Sequence, residues 1–419
     1  MKIKEYVNAE MVRSSLANTP QITFEVTDAC NLACVYCSYG ELYFDYDKRD
    51  NKVLDVEKAR RFLNYVAELW DSPLNKSTHN NLYLSFYGGE PLLNVPFIDE
   101  VVSFANNIKS KQRQFTYSMT TNGLLLDKYV DFLVINDFSL LISLDGNEFS
   151  HSYRVNKDGQ NSFKHVIDNI EIIRHKYPDY FTKRVNFNTV LHNRNSVRDV
   201  YDFFKKNYNK IPSIGALNDM GIREEMKDEF MRMYRNTTDS LMQSENYSEL
   251  ETEMFLSSPT YHSATVYLLQ HSEFKYENYN ELLYGKVPQK KVIPTGTCLP
   301  FSKKVFITVN GKILPCERIG QQFALGCIEE KNIDLNFEAI AQKYNHFYSK
   351  TDTLCSECFN SKGCVQCLYN LDDLEEEGEP ECKGFMTQEK FDLFRNSQLN
   401  FLARHPEAYS KIMNDVIYR

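Results

Sequence analysis

With 419 residues, 42% of them apolar, the chain can bury more than one small core, and 48 Lys plus Arg against 57 Asp plus Glu give a net charge of −9. An acidic balance argues against nucleic acid as the main partner, because binding its phosphate backbone needs a basic face. No run approaches the length of a membrane span, and the N-terminal MKIKEYVNAEMVRSS lacks the apolar core of a signal peptide, so a cytoplasmic protein without membrane contact is expected.

Short apolar runs ending in Gly or polar turns alternate with amphipathic stretches. Strands are expected at Ile22–Thr27, Leu82–Tyr87, Phe115–Thr120, Leu140–Leu144 and Val185–Leu191, with a weaker one at Ile211–Ala216. Helical patterns fall between them at Val56–Leu69, Phe97–Lys109, Ser162–Lys176 and Ser196–Asn207. This order predicts an α/β fold, a parallel sheet with helices outside it, closed into a partial (β/α)6 barrel whose chemistry sits at the C-terminal strand ends. The barrel is expected to occupy residues 1–217 with a short N-terminal extension, followed by a polar helical connection at 218–290. A loop-rich, cysteine-rich domain is expected at 291–400 and a helical tail at 401–419. The acidic run Asp372–Glu381 reads as a solvated loop, with attraction of a basic peptide as the alternative.

Of eleven cysteines, three lie between 30 and 37, none between 38 and 297, and eight between 298 and 382. Disulfides are not expected in the cytoplasm, and cysteines serving as small hydrophobes would be scattered, so metal ligation is the better reading of two tight clusters. The stretch TDACNLACVYCSYG sets Cys30, Cys34 and Cys37 in a Cys-x3-Cys-x2-Cys array just after the first strand. Such a loop can hold three irons of one cubane cluster and leave the fourth open to a chelating ligand. The zinc alternative wants four closed ligands, and no fourth Cys or His lies nearby.

This spacing, with aromatic Tyr36 before the last Cys, resembles the radical S-adenosylmethionine superfamily. A second hallmark, Gly88-Gly89-Glu90, ends the second strand in LSFYGGEP; Thr121-Asn122-Gly123 ends the third, Ser143-Leu144-Asp145-Gly146 ends the fourth, and His151 and Arg154 follow. The resemblance implies that S-adenosylmethionine binds here, with its methionine amino group on the Gly-Gly-Glu turn, where close backbone approach suits Gly. It further implies that Ser143 meets the ribose or carboxylate, that Arg154 pairs with the carboxylate through its guanidinium fork, and that Tyr36 and Asn122 complete the set. For Asn122 and Asp145 the alternative is turn chemistry beside Gly. In the family, one electron from the cluster splits the cofactor to a 5′-deoxyadenosyl radical, which removes hydrogen from an unactivated carbon. A cytoplasmic donor such as flavodoxin or ferredoxin is therefore expected.

The second cluster reads Cys298-x12-Gly311-x4-Cys316, then Cys355-x2-Cys358-x5-Cys364-x2-Cys367, then Cys382. It resembles the SPASM domain, which holds two auxiliary clusters in radical enzymes that modify peptides and proteins. The spacing departs once, with two residues between Cys364 and Cys367 where the family commonly has three. The resemblance implies three 4Fe–4S clusters in all, with Cys298, Cys316 and Cys367 on the inner auxiliary one and Cys355, Cys358, Cys364 and Cys382 on the outer. A zinc ribbon of two Cys pairs is the alternative, and it leaves three cysteines stranded. Cys327 stands outside these positions, either as a fourth inner ligand or, the preferred reading, as a small buried side chain beside an open iron.

The pairing of these two resemblances implies a maturase that installs a thioether or another side-chain cross-link in a ribosomally made precursor peptide. The run from Asn18 through Gly40 resembles maturases of Bacteroidales-type peptides. The alternative is an anaerobic sulfatase-maturing enzyme, in which Glu317 after Cys316 would stand at the position of a catalytic base. Against it, Tyr87 replaces a Gln of that family before Gly-Gly-Glu, and Val292 stands where that family has a cysteine. A peptide-binding but catalytically degenerate homologue is a third reading. With 29 residues ahead of Cys30, a complete winged-helix recognition domain is not expected there, so leader binding is expected on another surface or a separate protein.

Overall fold

The computed structural model describes residues 5–76, 81–108, 113–271, 293–371, 374–378 and 380–414. Six strands follow the expected order: β1 Gln21–Thr27, β2 Asn81–Gly88, β3 Gln114–Thr121, β4 Ser139–Ser143, β5 Val185–Leu191 and β6 Ser213–Ala216. Each pairs in parallel with the next, as crossover helices require. The helices are α1 Ala9–Ala17, α2 Val56–Trp70, α3 Val95–Asn107, α4 Leu126–Ile135, α5 Phe163–Lys176, α6 Pro178–Arg184 and α7 Val197–Tyr208. Expected and observed ends agree within a few residues, and Lys109, the expected end of α3, lies outside the described residues along with Val292. Local signals fix some of these ends. Asp55 caps α2 by accepting from the Glu57 amide at 2.9 Å, Ser196 caps α7 through the Asp199 amide at 3.1 Å, and Asn209 closes α7 at φ 51°.

The two faces of the sheet differ in chemistry. On β1, Ile22, Phe24 and Val26 are fully buried toward the helices, and Phe24 meets Phe97 of α3 edge-on at 6.3 Å. The alternate residues Thr23, Glu25 and Thr27 are equally buried yet polar, and Ser85 of β2 shares a 2.6 Å hydrogen bond with Ser118 of β3 on the same side. A polar barrel interior of this kind needs partners for every group, and it is the side from which a site at the strand ends is built.

Four short strands were not legible in the sequence. Val305–Ile307 (β7) pairs parallel to β1, and Lys312–Leu314 (β8), Gly326–Ile328 (β9) and Ile333–Asp334 (β10) continue the sheet antiparallel, giving the order β10-β9-β8-β7-β1-β2-β3-β4-β5-β6. Strands of two or three residues show no periodicity, and here they cover an edge of β1 that would otherwise stand unpaired. The chain forms two compact units: Ala9–Ser244 with Leu299–Phe337, and Met1–Asn8 with Glu245–Cys298 and Glu338–Arg419. Leu299–Phe337, expected with the cysteine-rich domain, therefore belongs to the barrel unit.

In the second unit, Tyr261 of helix Pro259–His271 meets Phe401 of helix Gln388–Arg404 at 5.1 Å, in a cluster with Ala264, Ala408 and Ile412. Asn345, on helix Phe337–Glu357, pins the N-terminal segment by accepting from the Tyr6 and Val7 amides and donating to the Val7 carbonyl. Glu375–Glu377 are exposed, as the solvated-loop reading expects, while Asp372 and Asp373 lie outside the described residues. No helix among the described residues is long and apolar enough to cross a membrane.

Candidate active site

The cysteine triplet occupies the loop that leaves β1. Its backbone turns are tight: the Cys37 amide donates to the Cys34 carbonyl at 3.1 Å, the Gly40 amide to the Cys37 carbonyl at 2.7 Å, and the Leu32 amide points at the Cys30 sulfur at 3.4 Å. The end of β2 lies directly against this loop. The Gly89 amide donates to the Thr27 carbonyl at 2.7 Å, and the Glu90 amide to the Ala29 carbonyl at 2.8 Å. A Cβ on Gly88, at φ 132°, would sit 2.3 Å from the Thr27 oxygen, and one on Gly89 would sit 2.0 Å from the Ala29 oxygen. The two glycines are thus demanded by the seat of the cysteine loop itself, whatever else approaches that turn.

Glu90 is buried, and its carboxylate ties three segments together. It accepts from the Leu92 amide at 3.1 Å, the Thr121 hydroxyl at 2.8 Å and the Asn122 amide at 2.7 Å. Burial pushes it up to about 7, opposed by those hydrogen bonds. The side chain of Asn122 does two things. Its oxygen accepts from the Leu124 amide at 3.0 Å, as a turn residue's does, and its nitrogen donates to Asn31 inside the cysteine loop at 2.7 Å.

Asp145 is a fully buried counter-ion rather than a turn residue. It accepts from Arg154 Nε at 2.9 Å and Nη2 at 3.0 Å, from the Val190 amide at 3.0 Å, and from the Tyr36 hydroxyl. Burial opposes its charge, but the Arg154 guanidinium outweighs that and holds the carboxyl well below the usual carboxylate range. Two of the three guanidinium nitrogens of Arg154 are therefore engaged within the protein. His151 accepts from the Asp145 amide at 3.3 Å and contacts Ser162 at 3.0 Å; burial, then Arg154, lowers it to about 3, so it is neutral and structural.

These elements converge on one cavity of about 190 Å³. Its walls include Cys30, Cys34, Cys37, Tyr36, Gly88, Gly89, Asn122, Ser143 and Arg154, and also Tyr39, Arg49, Tyr87 and Asn188. Glu90 stands behind the wall. Residues 24–206, which span this cavity, match the Radical SAM superfamily model. These residues therefore form a radical SAM domain. The chain is 30% identical over 213 residues to the radical SAM cyclopropyl synthase TigE of Paramaledivibacter caminithermalis, covering 48% of this chain but only 41% of that protein. It is 26% identical over 347 residues to a cysteine-type anaerobic sulfatase-maturating enzyme of Clostridium novyi, covering 78% of this chain and 82% of that one. A solved anSMEcpe with bound AdoMet shares the fold, at a TM-score of 0.60 and 18% identity over 94% of this chain and 99% of that one.

The family brings S-adenosylmethionine and a 4Fe–4S cluster, and the residues present fit both. Three thiols share a wall with the turn of Gly88 and Gly89, and they face polar groups suited to an amino acid and a ribose. Arg49, Tyr39 and Asn188 escaped the sequence reading. Arg49 lies in a charged run, Asp45-Tyr46-Asp47-Lys48-Arg49-Asp50, that reads as solvated surface until the loop is folded.

Glu317 does not line this cavity, and it pairs with Lys304 at 3.0 Å. Burial raises Glu317, but Lys304 and neighbouring groups outweigh it and hold the carboxyl below its usual value, which weakens it as a base. Cys316 follows β8, and Cys327 lies half-buried in β9, opposite Lys312 and Asp334. In the second unit, Cys355, Cys358, Cys364 and Cys382 line a single small pocket of about 20 Å³. A Cβ on Gly296 would lie 2.3 Å from the Cys364 carbonyl, so Gly is required where that segment crosses the cysteine loop. Cys298 and Cys367 belong to the same unit, joined by a 2.7 Å hydrogen bond from the Leu368 amide to the Thr297 hydroxyl.

Proposed function

We propose that the protein is a radical SAM/SPASM maturase acting on a ribosomally made precursor peptide, in which it installs a thioether or another side-chain cross-link. The observation that carries the chemistry is the convergence of Cys30, Cys34 and Cys37 with Gly88, Gly89, Asn122, Ser143 and Arg154 on one cavity at the C-terminal strand ends. When bound, the cluster and S-adenosylmethionine supply a 5′-deoxyadenosyl radical. The chain's own residues hold and shape that site. Gly88 and Gly89 let the β2 turn seat the cysteine loop, and Glu90 locks that turn to β3. The Asp145–Arg154 pair fixes the floor beneath Tyr36, whose ring lies 5.4 Å from the guanidinium.

Cys355, Cys358, Cys364 and Cys382 are read as ligands of an outer auxiliary cluster, and Cys298, Cys316 and Cys367 as ligands of an inner one. A peptide substrate is supported by the relatives. TigE is named a cyclopropyl synthase, and the same anSMEcpe fold has been solved with AdoMet and a Kp18Cys peptide bound. The electron donor is read as a flavodoxin or ferredoxin.

The second reading, maturation of a sulfatase Cys or Ser, is favoured by one observation: the match to the Clostridium novyi enzyme covers 82% of that protein. Anaerobic co-expression with short peptides encoded nearby separates the two. A maturase lowers the peptide mass by about two units per modification, as loss of two hydrogens requires. An unchanged mass for every such peptide, with conversion of a sulfatase-derived Cys peptide to an aldehyde, selects the second reading.

A further inference from the structure

Two arginines line the active-site cavity, and they are treated differently. Arg154 is neutralised by Asp145 through two hydrogen bonds. Arg49 has no carboxylate partner among the described residues. Its Nη2 donates to the Cys37 sulfur at 3.2 Å, and its Nε is buried without an acceptor. Arg49 is only partly buried, but its fork turns toward the sulfur that would carry negative charge as a cluster ligand.

The placement is built. The guanidinium carbon lies 4.6 Å from the centre of the Tyr39 ring, a cation–π contact that fixes its plane. The Tyr39 hydroxyl donates to Glu25 on β1, and the other Glu25 oxygen accepts from the Val309 amide at 2.8 Å. Glu25 is 1% exposed, so the chain Glu25–Tyr39–Arg49–Cys37 runs from the sheet interior to the sulfur. Hydrogen bonds to ligand sulfurs and nearby positive charge are general determinants of the potential of an iron–sulfur cluster.

We propose that Arg49 is a positioning residue that raises the reduction potential of the cluster held by the triplet, through its charge-assisted hydrogen bond to Cys37. The proposal rests on the reading of Cys30, Cys34 and Cys37 as cluster ligands. The step it assists is a one-electron reduction of the cluster from the 2+ to the 1+ state by a low-potential donor, dithionite in vitro. No bond is made or broken and no proton moves. The cluster gains one negative charge, and a guanidinium at hydrogen-bond distance from Cys37 favours the state with more of it.

The test is an anaerobic redox titration of the reconstituted full chain, followed by electron paramagnetic resonance without S-adenosylmethionine. The triplet signal is the one missing from a Cys30→Ala/Cys34→Ala/Cys37→Ala variant, and a spectrum unchanged in that variant overturns the ligand reading rather than the role of Arg49. In Arg49→Met the ratio of reduced to oxidised triplet cluster at fixed potential should fall roughly tenfold, which is about 59 mV for one electron. Arg49→Lys, which keeps the charge and loses the fork, should shift it less in the same direction. A midpoint in Arg49→Met equal to wild type, at equal iron content, overturns the proposal. Should the variants lose the cluster, protein grown with nitrogen-15 arginine decides: a nitrogen coupling on the wild-type triplet signal is expected, and its absence overturns the proposal.

Discussion

The cavity at the strand ends and the pocket in the second unit both gather cysteines, but their walls differ. Around Cys30, Cys34 and Cys37 stand glycine backbone, amides, several hydroxyls and two arginines; around Cys355, Cys358, Cys364 and Cys382 stand Pro294, Leu354, Leu371 and Phe385, with Thr295, Thr351, Ser361 and Gln366. Three thiols leave one iron of a cubane free for a ligand, and polar walls give that ligand its hydrogen bonds. Four thiols around one pocket would, if they hold a cubane as proposed, complete its coordination and leave no iron open, which suits electron transfer. On the proposed reading, the same residue type would serve chemistry in one region and electron transfer in the other, the difference lying in the fourth position and the surroundings.

The largest effect should come from breaking the first region. Replacing Cys30, Cys34 and Cys37 together with Ala is expected to abolish 5′-deoxyadenosine formation while leaving roughly two-thirds of the iron, if three cubanes share it. Retained 5′-deoxyadenosine in that variant would refute the proposed site. Cys382→Ala strikes the other region. About one-third of the iron should go, and peptide product with it, while cleavage of S-adenosylmethionine persists. Loss of both activities together would erase the distinction drawn between the two pockets.

The polar wall can be disturbed with every thiol left in place. Asp145→Asn strands the Arg154 guanidinium in a buried wall of the cavity, and urea unfolding of that variant should show a loss of about 3–5 kcal/mol. A loss under about 1 kcal/mol would mean that the pair does not hold the wall.

Acid should act through His151. Its folded-state value is lowered to about 3, whereas the unfolded imidazole takes a proton at about 6.5. The unfolded state therefore binds more protons in that window, and stability falls as pH drops from about 6.5 toward 3. His151→Gln should flatten this slope, read as urea midpoints at about pH 7.5 and about pH 5; an unchanged slope would show that the imidazole is already charged in the fold.

The smallest effect is expected at Cys327, which sits in a three-residue strand and lines neither cysteine pocket. Cys327→Ala should keep full iron content and activity. Loss of about four irons, the content of one cubane, would instead make it a ligand.

Features whose signal is local can be read from the amino-acid order alone. Ligand spacing is set by a loop a few residues long, so the triplet was legible as written. Parallel strands of five to eight residues announce themselves as apolar runs, and all five stronger expectations fell within a residue of the observed ends. Gly88 and Gly89 were legible as a place of close approach. That the approaching backbone belongs to the cysteine loop needed the fold, because Thr27 and Ala29 are some sixty residues away in sequence.

Where buried charges meet depends on packing between distant segments. Asp145 reads as a turn residue beside Gly146 until β4, β5 and the segment carrying Arg154 bring its guanidinium partner and the Val190 amide to it. Arg49 reads as solvated until the loop lays it on Tyr39 and against Cys37. β7 to β10 carry no periodic signal because each has only two or three residues, and their pairing is fixed by the unpaired edge of β1 that they cover. Periodicity and spacing record what a segment does to itself. The partner of a buried charge is chosen by segments far away in sequence, and only the packed sheet brings them together.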